Sequence, residues 1–172
     1  RHIHPDLRVE DLPLLVAPSR RKYHLLDVPL ATAVTGWHER KLRYRLRFLT
    51  TAHYLKRYRI PEFKDREKPY PHIYELGRSG ARILAIKYGG TADDYLPTRS
   101  SPHPSFLFAP HTIELGRVRF ALERAAARLN ASLICHYDDR YLARKYRKWP
   151  TLPDGYTAIE FHNGVQAYFF LE

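Results

Sequence analysis

His38-Glu39-Arg40-Lys41-Leu42-Arg43-Tyr44-Arg45-Leu46-Arg47-Phe48-Leu49 is the stretch on which the reading of this chain turns. Leu42, Leu46 and Leu49 stand at i, i+4 and i+7, on one face of a 3.6-residue helix. Arg40, Lys41, Arg43, Tyr44 and Arg47 then point elsewhere. From His38 to Arg59 the chain carries eight Lys or Arg and a single acid. A helix with one apolar stripe and cations around the rest packs on a core and lies against a polyanion, where neutralised phosphates release condensed counterions. The competing account is a solvated charged helix with no partner.

The flanking segments place this helix in a motif. Arg20 to Leu26 reads as a short helix, and Val28 to Val34 as a second, opened by Pro29 at a helix-start position. Thr35-Gly36-Trp37 breaks the chain before the basic helix. Two short helices, a glycine turn and a cationic third helix follow the helix-turn-helix order. Downstream the basic helix is expected to end near Leu55. Tyr58-Arg59-Ile60 reads as a strand closed by Pro61, then comes a charged loop from Glu62 to Pro71 and a second strand from His72 to Leu76. Strand, loop and strand after a recognition helix make a wing. The expected DNA contacts are Arg40, Lys41, Arg43, Tyr44, Arg45 and Arg47 on the helix, with Lys64, Arg66 and Lys68 in the loop, where Glu62, Asp65 and Glu67 offset their field. Tyr44 and Tyr58 are candidates for base stacking, whereas Tyr54 is assigned to the core. Arg78 to Ile86 forms a closing helix, ended by Gly89-Gly90.

Charge divides the 172 residues unevenly. The chain has a net charge of +11, and residues 1–90 hold 19 of the 29 Lys and Arg against 9 acids, while residues 91–172 hold 10 against 9. The attractive field therefore belongs to the N-terminal half. A hydrophobic content of 44% with 13% aromatics marks a folded chain, and the length suits two small domains. Pro97, Pro102, Pro104 and Pro110, interleaved with Thr98, Ser100, Ser101 and Ser105, mark residues 91–110 as a linker, giving domains at 1–90 and 111–172. The single cysteine, Cys135, excludes an internal disulfide and is expected to be a buried thiol in a strand. His2 and His4 are expected to be disordered rather than metal-bound, and His111 to pack or cap a helix start. With no run of 18 apolar residues and no apolar core of a secretory signal, the chain reads as cytoplasmic with no membrane partner. It opens at Arg1 and contains no Met, which reads as part of a longer protein. Phosphate-cradling glycine loops, thiolate clusters and nucleophile elbows are absent from the sequence.

The C-terminal half reads as helix first, then sheet. Leu115, Val118, Leu122, Ala125 and Leu129 recur at helical spacing over residues 111–129. Leu133 to Tyr137 reads as a buried strand, Asp138 to Trp149 as a polar helix or loop, and Tyr156 to Phe161 and Val165 to Glu172 as strands around His162-Asn163-Gly164. A two-residue Asn-Gly loop would set Phe161 against Gln166 and mix polar with apolar across the ladder. A three-residue loop with Gly164 at positive φ pairs Phe161 with Val165, Ile159 with Ala167 and Thr157 with Phe169, leaving one face apolar. That register puts Asp154 opposite Glu172, with Cβ atoms about 4.5–5.5 Å apart. Two carboxylates so close repel unless a cation or proton lies between them, and Mg²⁺ suits such an oxygen-rich pair. Alternatively, Asp154 caps the turn after Pro153 and Glu172 is a frayed end.

Pro153-Asp154, a hairpin, and then Phe169-Phe170-Leu171-Glu172 resemble the replication-relaxation family of bacterial plasmid and mobile-element proteins, in which a winged helix-turn-helix precedes a restriction-endonuclease-like domain. Tyr74-Glu75-Leu76-Gly77-Arg78-Ser79-Gly80-Ala81-Arg82 is similar to the strand-to-helix passage closing that winged domain. His111-Thr112-Ile113 with Val118-Arg119-Phe120-Ala121-Leu122 is similar to the opening of the second domain, although Gly116 stands where the family often has a polar residue. The resemblance implies an α+β chain, with a winged helix-turn-helix followed by a partial PD-(D/E)XK endonuclease-like α/β domain expected to continue past Glu172. It further implies that Asp154 and Glu172 are the first two acidic positions of a catalytic and metal-binding site, with Mg²⁺ as the candidate cofactor. The expected partner is double-stranded DNA in plasmid replication or relaxation, with a second copy of the chain as a further candidate. A Mg²⁺-dependent nuclease and an RNA-binding protein are the alternatives.

Overall fold

Leu42, Leu46 and Leu49 are fully buried, as their spacing demands, and the elements around them explain why. The computed structural model of the chain describes residues 6–20, 22–59, 72–97, 108–148 and 151–172. Among the described residues it is a mixed α+β protein with six α-helices and two three-stranded antiparallel sheets. It divides into two compact units, Arg1–Gly116 and Arg117–Glu172.

In the first unit a 3-10 turn, Val9–Asp11, leads into α1 (Leu12–Val16), then β1 (Leu26–Asp27), α2 (Val28–Thr35), α3 (Glu39–Thr51), β2 (Leu55–Arg59), β3 (His72–Leu76) and α4 (Arg78–Tyr88). The strand order is β1-β3-β2, so β3 is central and Ile73 to Leu76 are all buried. Leu26 pairs with Tyr74, and Tyr58 with Ile73. Asp27 caps α2 by accepting the Leu30 N–H at 2.9 Å, Pro29 sits in its first turn, and Gly36, at φ 67°, closes it with the left-handed conformation that glycine adopts without strain.

Two expected boundaries are corrected here. Residues from Arg20 to Leu26 do not form a helix: the Lys22 and His24 amides both turn back to the Ser19 carbonyl, His24 is left-handed at φ 63°, and Leu26 is drawn into the sheet. The first helix is instead Leu12–Val16, with Pro13 in its first turn. The basic helix ends at Thr51 rather than near Leu55, because His53 turns at φ 61° and the Tyr54 amide reaches back to the Leu49 carbonyl at 2.8 Å. Leu55 then opens β2, and Tyr54 is buried, as assigned. Ile60 and the loop to Pro71 lie outside the described residues.

Close backbone approach fixes the glycines opening α4. The Gly77 amide donates to the Tyr54 carbonyl at 2.9 Å. A Cβ at Gly77 would stand 2.6 Å from the His53 carbonyl oxygen, and one at Gly80 would collide with that of Tyr54. Beyond α4, a 3-10 turn at Ala92–Asp94 precedes the buried Tyr95, whose carbonyl accepts the Arg20 amide and whose hydroxyl donates to the Gly89 carbonyl, both at 2.8 Å. Residues 91–97 thus fold onto the first unit, and 98–107 lie outside the described residues.

Helix α5 (Ala109–Arg128) starts in the first unit, where Ala109 and Ile113 are buried with Leu25 and Ile73 against Tyr58. A Cβ on the buried Gly116 would stand 3.2 Å from Tyr23 Cβ, so the helix packs closely against the first unit's core there. The division between the units falls inside this helix. In the first unit its buried edge runs through Ala109, Ile113 and Gly116; in the second unit Ala126 is buried on a different side of the helix, while Val118 is 38% and Leu129 60% exposed. The expected stripe of Leu115, Val118, Leu122, Ala125 and Leu129 is therefore not the buried face. Small residues let the helix come close, and close approach wins over leucine periodicity.

The second unit comprises the rest of α5, β4 (Ser132–Asp138), α6 (Asp139–Lys145), β5 (Gly155–Glu160) and β6 (Gln166–Leu171), with strand order β4-β5-β6. The hairpin adopts the three-residue loop: Ile159 pairs with Ala167 and Thr157 with Phe169, the Phe161 amide donates to the Val165 carbonyl at 2.8 Å, and Gly164 has φ 78°. Asp138 caps α6 by accepting the Tyr141 amide at 2.8 Å. Every large side chain described as fully buried belongs to the first unit, from Leu14 to Leu84. At about 1.5–3 kcal/mol each, these residues concentrate apolar stabilisation there. The second unit instead leaves Ile134, Val165, Tyr168, Phe169 and Phe170 exposed, and Cys135, expected to be buried, is half-buried in β4. No described helix is long and apolar enough to cross a membrane.

Candidate nucleic-acid interface

The six residues nominated on α3 separate into three groups. Arg40, Tyr44 and Arg47 are exposed, Tyr44 to 69%. Lys41 and Arg43 are also exposed but carry ion pairs. Lys41 Nζ lies 3.0 Å from Glu10 and 4.1 Å from the centre of the Trp37 ring, while Arg43 Nε donates to Glu39 at 2.6 Å, one helical turn back. Exposed pairs of this kind contribute about 0–1 kcal/mol, so a phosphate competes readily for either cation.

Arg45 is the correction. It is 5% exposed, its Nε donates to Asp11 Oδ1 at 2.8 Å, and its Nη2 donates to Asp11 Oδ2 and to the Asp6 carbonyl, the latter at 2.9 Å. The guanidinium lies 4.5 Å from the centre of the Phe48 ring. Hydrogen bonding to Asp11 raises its pKa above the ordinary arginine value against the opposing effect of burial. Asp11 is itself fully buried and also accepts the Arg8 amide at 2.9 Å. Arg45 thus clamps α3 to the N-terminal turn and is not available to a nucleic acid.

Strand β2 adds cations not nominated from the sequence. Lys56, Arg57 and Arg59 are exposed on this edge strand. Burial lowers the His72 pKa first, and Arg57, Arg59 and Arg43 lower it further; Arg57 and Arg43 also act on Tyr74, whose phenol burial raises. Arg43 of α3 and Arg57 of β2 therefore share one field. Arg57 and Arg59 stand two residues apart and so share one face of β2, opposite Tyr74 and His72, with Lys56 on the other face. Lys64, Arg66 and Lys68, like His2 and His4, lie outside the described residues.

In the second unit the Asp154 amide donates to the Leu171 carbonyl at 2.8 Å, beside the Gly155–Leu171 pair. Extending that register by one residue places Asp154 across from Glu172. Among the described residues no group of three or more His, Cys, Asp or Glu is arranged to hold a metal ion, so these acids are a carboxylate pair. A pair fits Mg²⁺ only with water or phosphate oxygens completing the shell.

The same strands carry a row of aromatic rings on one face. Tyr156 pairs with Tyr137 on one side and Phe170 on the other, and Ala158 with Cys135 and Tyr168. Tyr141 from α6 stacks on Tyr137 at 4.2 Å between ring centres. Lys145 Nζ lies 5.6–5.8 Å from the centres of the Tyr137, Tyr141 and Tyr146 rings. A hydrogen bond to Tyr141 raises the Lys145 pKa; Cys135, then Tyr141, raises that of Tyr137, and burial, then Cys135, that of Tyr156. At neutral pH the face presents neutral rings beside a full positive charge.

No protein family, curated protein or solved structure matches this chain.

Proposed function

We propose that the first unit binds double-stranded DNA as a winged helix-turn-helix, with α3 in the major groove and the β2–β3 hairpin as its wing. The element order helix, strand, helix, helix, strand, strand, with the first strand paired to the last, supports this reading. The observation that carries it is the basic surface: Arg40, Arg43 and Arg47 lie opposite the buried leucines of α3, and Arg43 shares its field with Arg57 and Arg59 of β2. Neutralising Z phosphates gives binding a salt slope of about −0.9Z. Replacing Arg43 and Arg57 together with alanine is expected to weaken binding of a labelled duplex and flatten that slope by about 2. An unchanged slope refutes the placement, and tighter binding of a structured RNA competitor assigns the surface to RNA. A part in plasmid or mobile-element replication or relaxation is the role that the resemblance adds.

The hairpin register favours one second reading, a Mg²⁺-dependent nuclease in which Asp154 and Glu172 are metal ligands. Nicking of supercoiled plasmid in Mg²⁺ that disappears in Asp154→Asn supports it, and the absence of nicking removes it.

A further inference from the structure

We propose that the tyrosine face of the second unit is a stacking site for the unpaired bases of single-stranded nucleic acid, distinct from the duplex-binding surface of the first unit. Tyr141, Tyr137, Tyr156 and Tyr168 follow one another across the face with successive ring centres 4.2, 6.1 and 6.2 Å apart and interplanar angles of 11°, 10° and 21°. Phe170 stands 5.3 Å from Tyr156. The rings border a cavity of about 470 Å³, within the size range of sites that admit a small molecule. Tyr168 and Phe170 are 56% and 60% exposed, an unusual state for adjoining aromatics and one that marks an interaction site.

Charge selects the occupant. Lys145 borders the Tyr137 end of the row, 5.8 Å from that ring centre, and Arg147 and Lys148 are exposed just beyond α6. By register Asp154 and Glu172 are the next residues on the same face after Tyr156 and Phe170, so a phosphate backbone is drawn to the Lys145 side and not past the acids. A strand whose phosphates run past Lys145 while its bases lie on the rings uses both the cation and the aromatic row. Duplex DNA does not, because its base faces are already stacked. The 6.1–6.2 Å spacing between rings is shorter than the roughly 7 Å that a base interleaved at contact distance on both sides needs. Bases therefore lie on the open side at Tyr168 and Phe170. Gln166 steadies that end: its Nε2 donates to Glu160 at 3.0 Å and its Oε1 accepts the Tyr168 hydroxyl.

The test is binding of a labelled oligothymidine to the full chain, with an abasic oligomer of equal length and a duplex as companions. Tyr168→Ala with Phe170→Ala removes two exposed side chains and is expected to weaken oligothymidine binding about tenfold or more, with duplex affinity retained. Lys145→Gln is expected to weaken oligothymidine and abasic oligomer alike. Arg43→Ala with Arg57→Ala, which probes the first unit, leaves the loss caused by the aromatic pair in place, so failure of one surface is separable from failure of the other. Equal binding of oligothymidine and abasic oligomer by the unmodified chain overturns the proposal, as does wild-type affinity in the aromatic double variant. Self-association abolished by that variant, without oligothymidine binding, assigns the face to a second copy and also overturns it.

Discussion

Arg45 and Arg47 are two residues apart on one helix, yet the structure gives them opposite roles, and a pair of substitutions separates those roles. Arg45→Met removes the buried partner of Asp11, whose carboxylate is fully inside and retains the Arg8 amide. Breaking a buried ion pair from one side costs about 3–5 kcal/mol, because the remaining charge stays desolvated and uncompensated. That is a large share of the roughly 5–15 kcal/mol by which a folded protein is stable. Arg47 is exposed, and its replacement by Met is expected to change stability by less than about 0.5 kcal/mol while lowering the salt slope of duplex binding by about 1. Urea unfolding followed by circular dichroism measures the first quantity, and anisotropy titration the second. Asp11→Asn combined with Arg45→Met recovers part of the loss, since the double variant buries no charge. An Arg45→Met variant within about 1 kcal/mol of wild type, or an Arg47→Met variant destabilised as strongly, refutes this division of roles.

Two further outcomes follow from the first unit. Gly80→Ala ought to gain up to about 1 kcal/mol of helix propensity, but its methyl group meets the Tyr54 carbonyl, so a net loss of about 1–3 kcal/mol is expected; a raised unfolding midpoint contradicts the close approach. His72 has a pKa lowered by burial, then by Arg57, Arg59 and Arg43, and its Nε2 is buried without a hydrogen-bond partner among the described residues. The unfolded chain therefore takes up this proton first as pH falls below the ordinary histidine value of about 6.5, and stability declines from there toward the lower folded value. Urea midpoints measured between pH 7 and pH 5 are expected to fall less in His72→Gln than in wild type, and equal falls exclude His72 as the source.

Legibility in the sequence followed the range of the interaction. Helices α2, α3 and α4 and the β5–β6 register were readable because leucine spacing, Pro29, Gly36, Gly89-Gly90 and Gly164 act within a few residues of themselves. Strand β1 was not, since a two-residue strand exists only through β3, far along the chain. Arg45 shows both sides. Its place at i+3 from Leu42 belongs to the buried stripe of a helix, a signal that its positive charge overrode, whereas its partner lies 34 residues away and leaves no local trace. On α5 the leucine repeat misled because Ala109 and Gly116 permit a closer contact than leucine does. The tyrosine row was hidden for a related reason: Tyr137, Tyr141, Tyr156 and Tyr168 come from three strands and a helix and meet only once the sheet has formed.

The clamp between Asp11 and Arg45 also bears on how this protein is cut for experiments. A fragment begun at the first α-helix, the intuitive edge of the trihelical segment, would discard residues 1–11 and with them the counter-ion of an interior guanidinium. Such a fragment would be both weaker and more cationic than its parent. Enhanced retention on heparin or on phosphate resin would then report the severed clasp, and a fragment compared with its parent should begin no later than Asp6, so that the carbonyl and carboxylate that hold Arg45 are both retained.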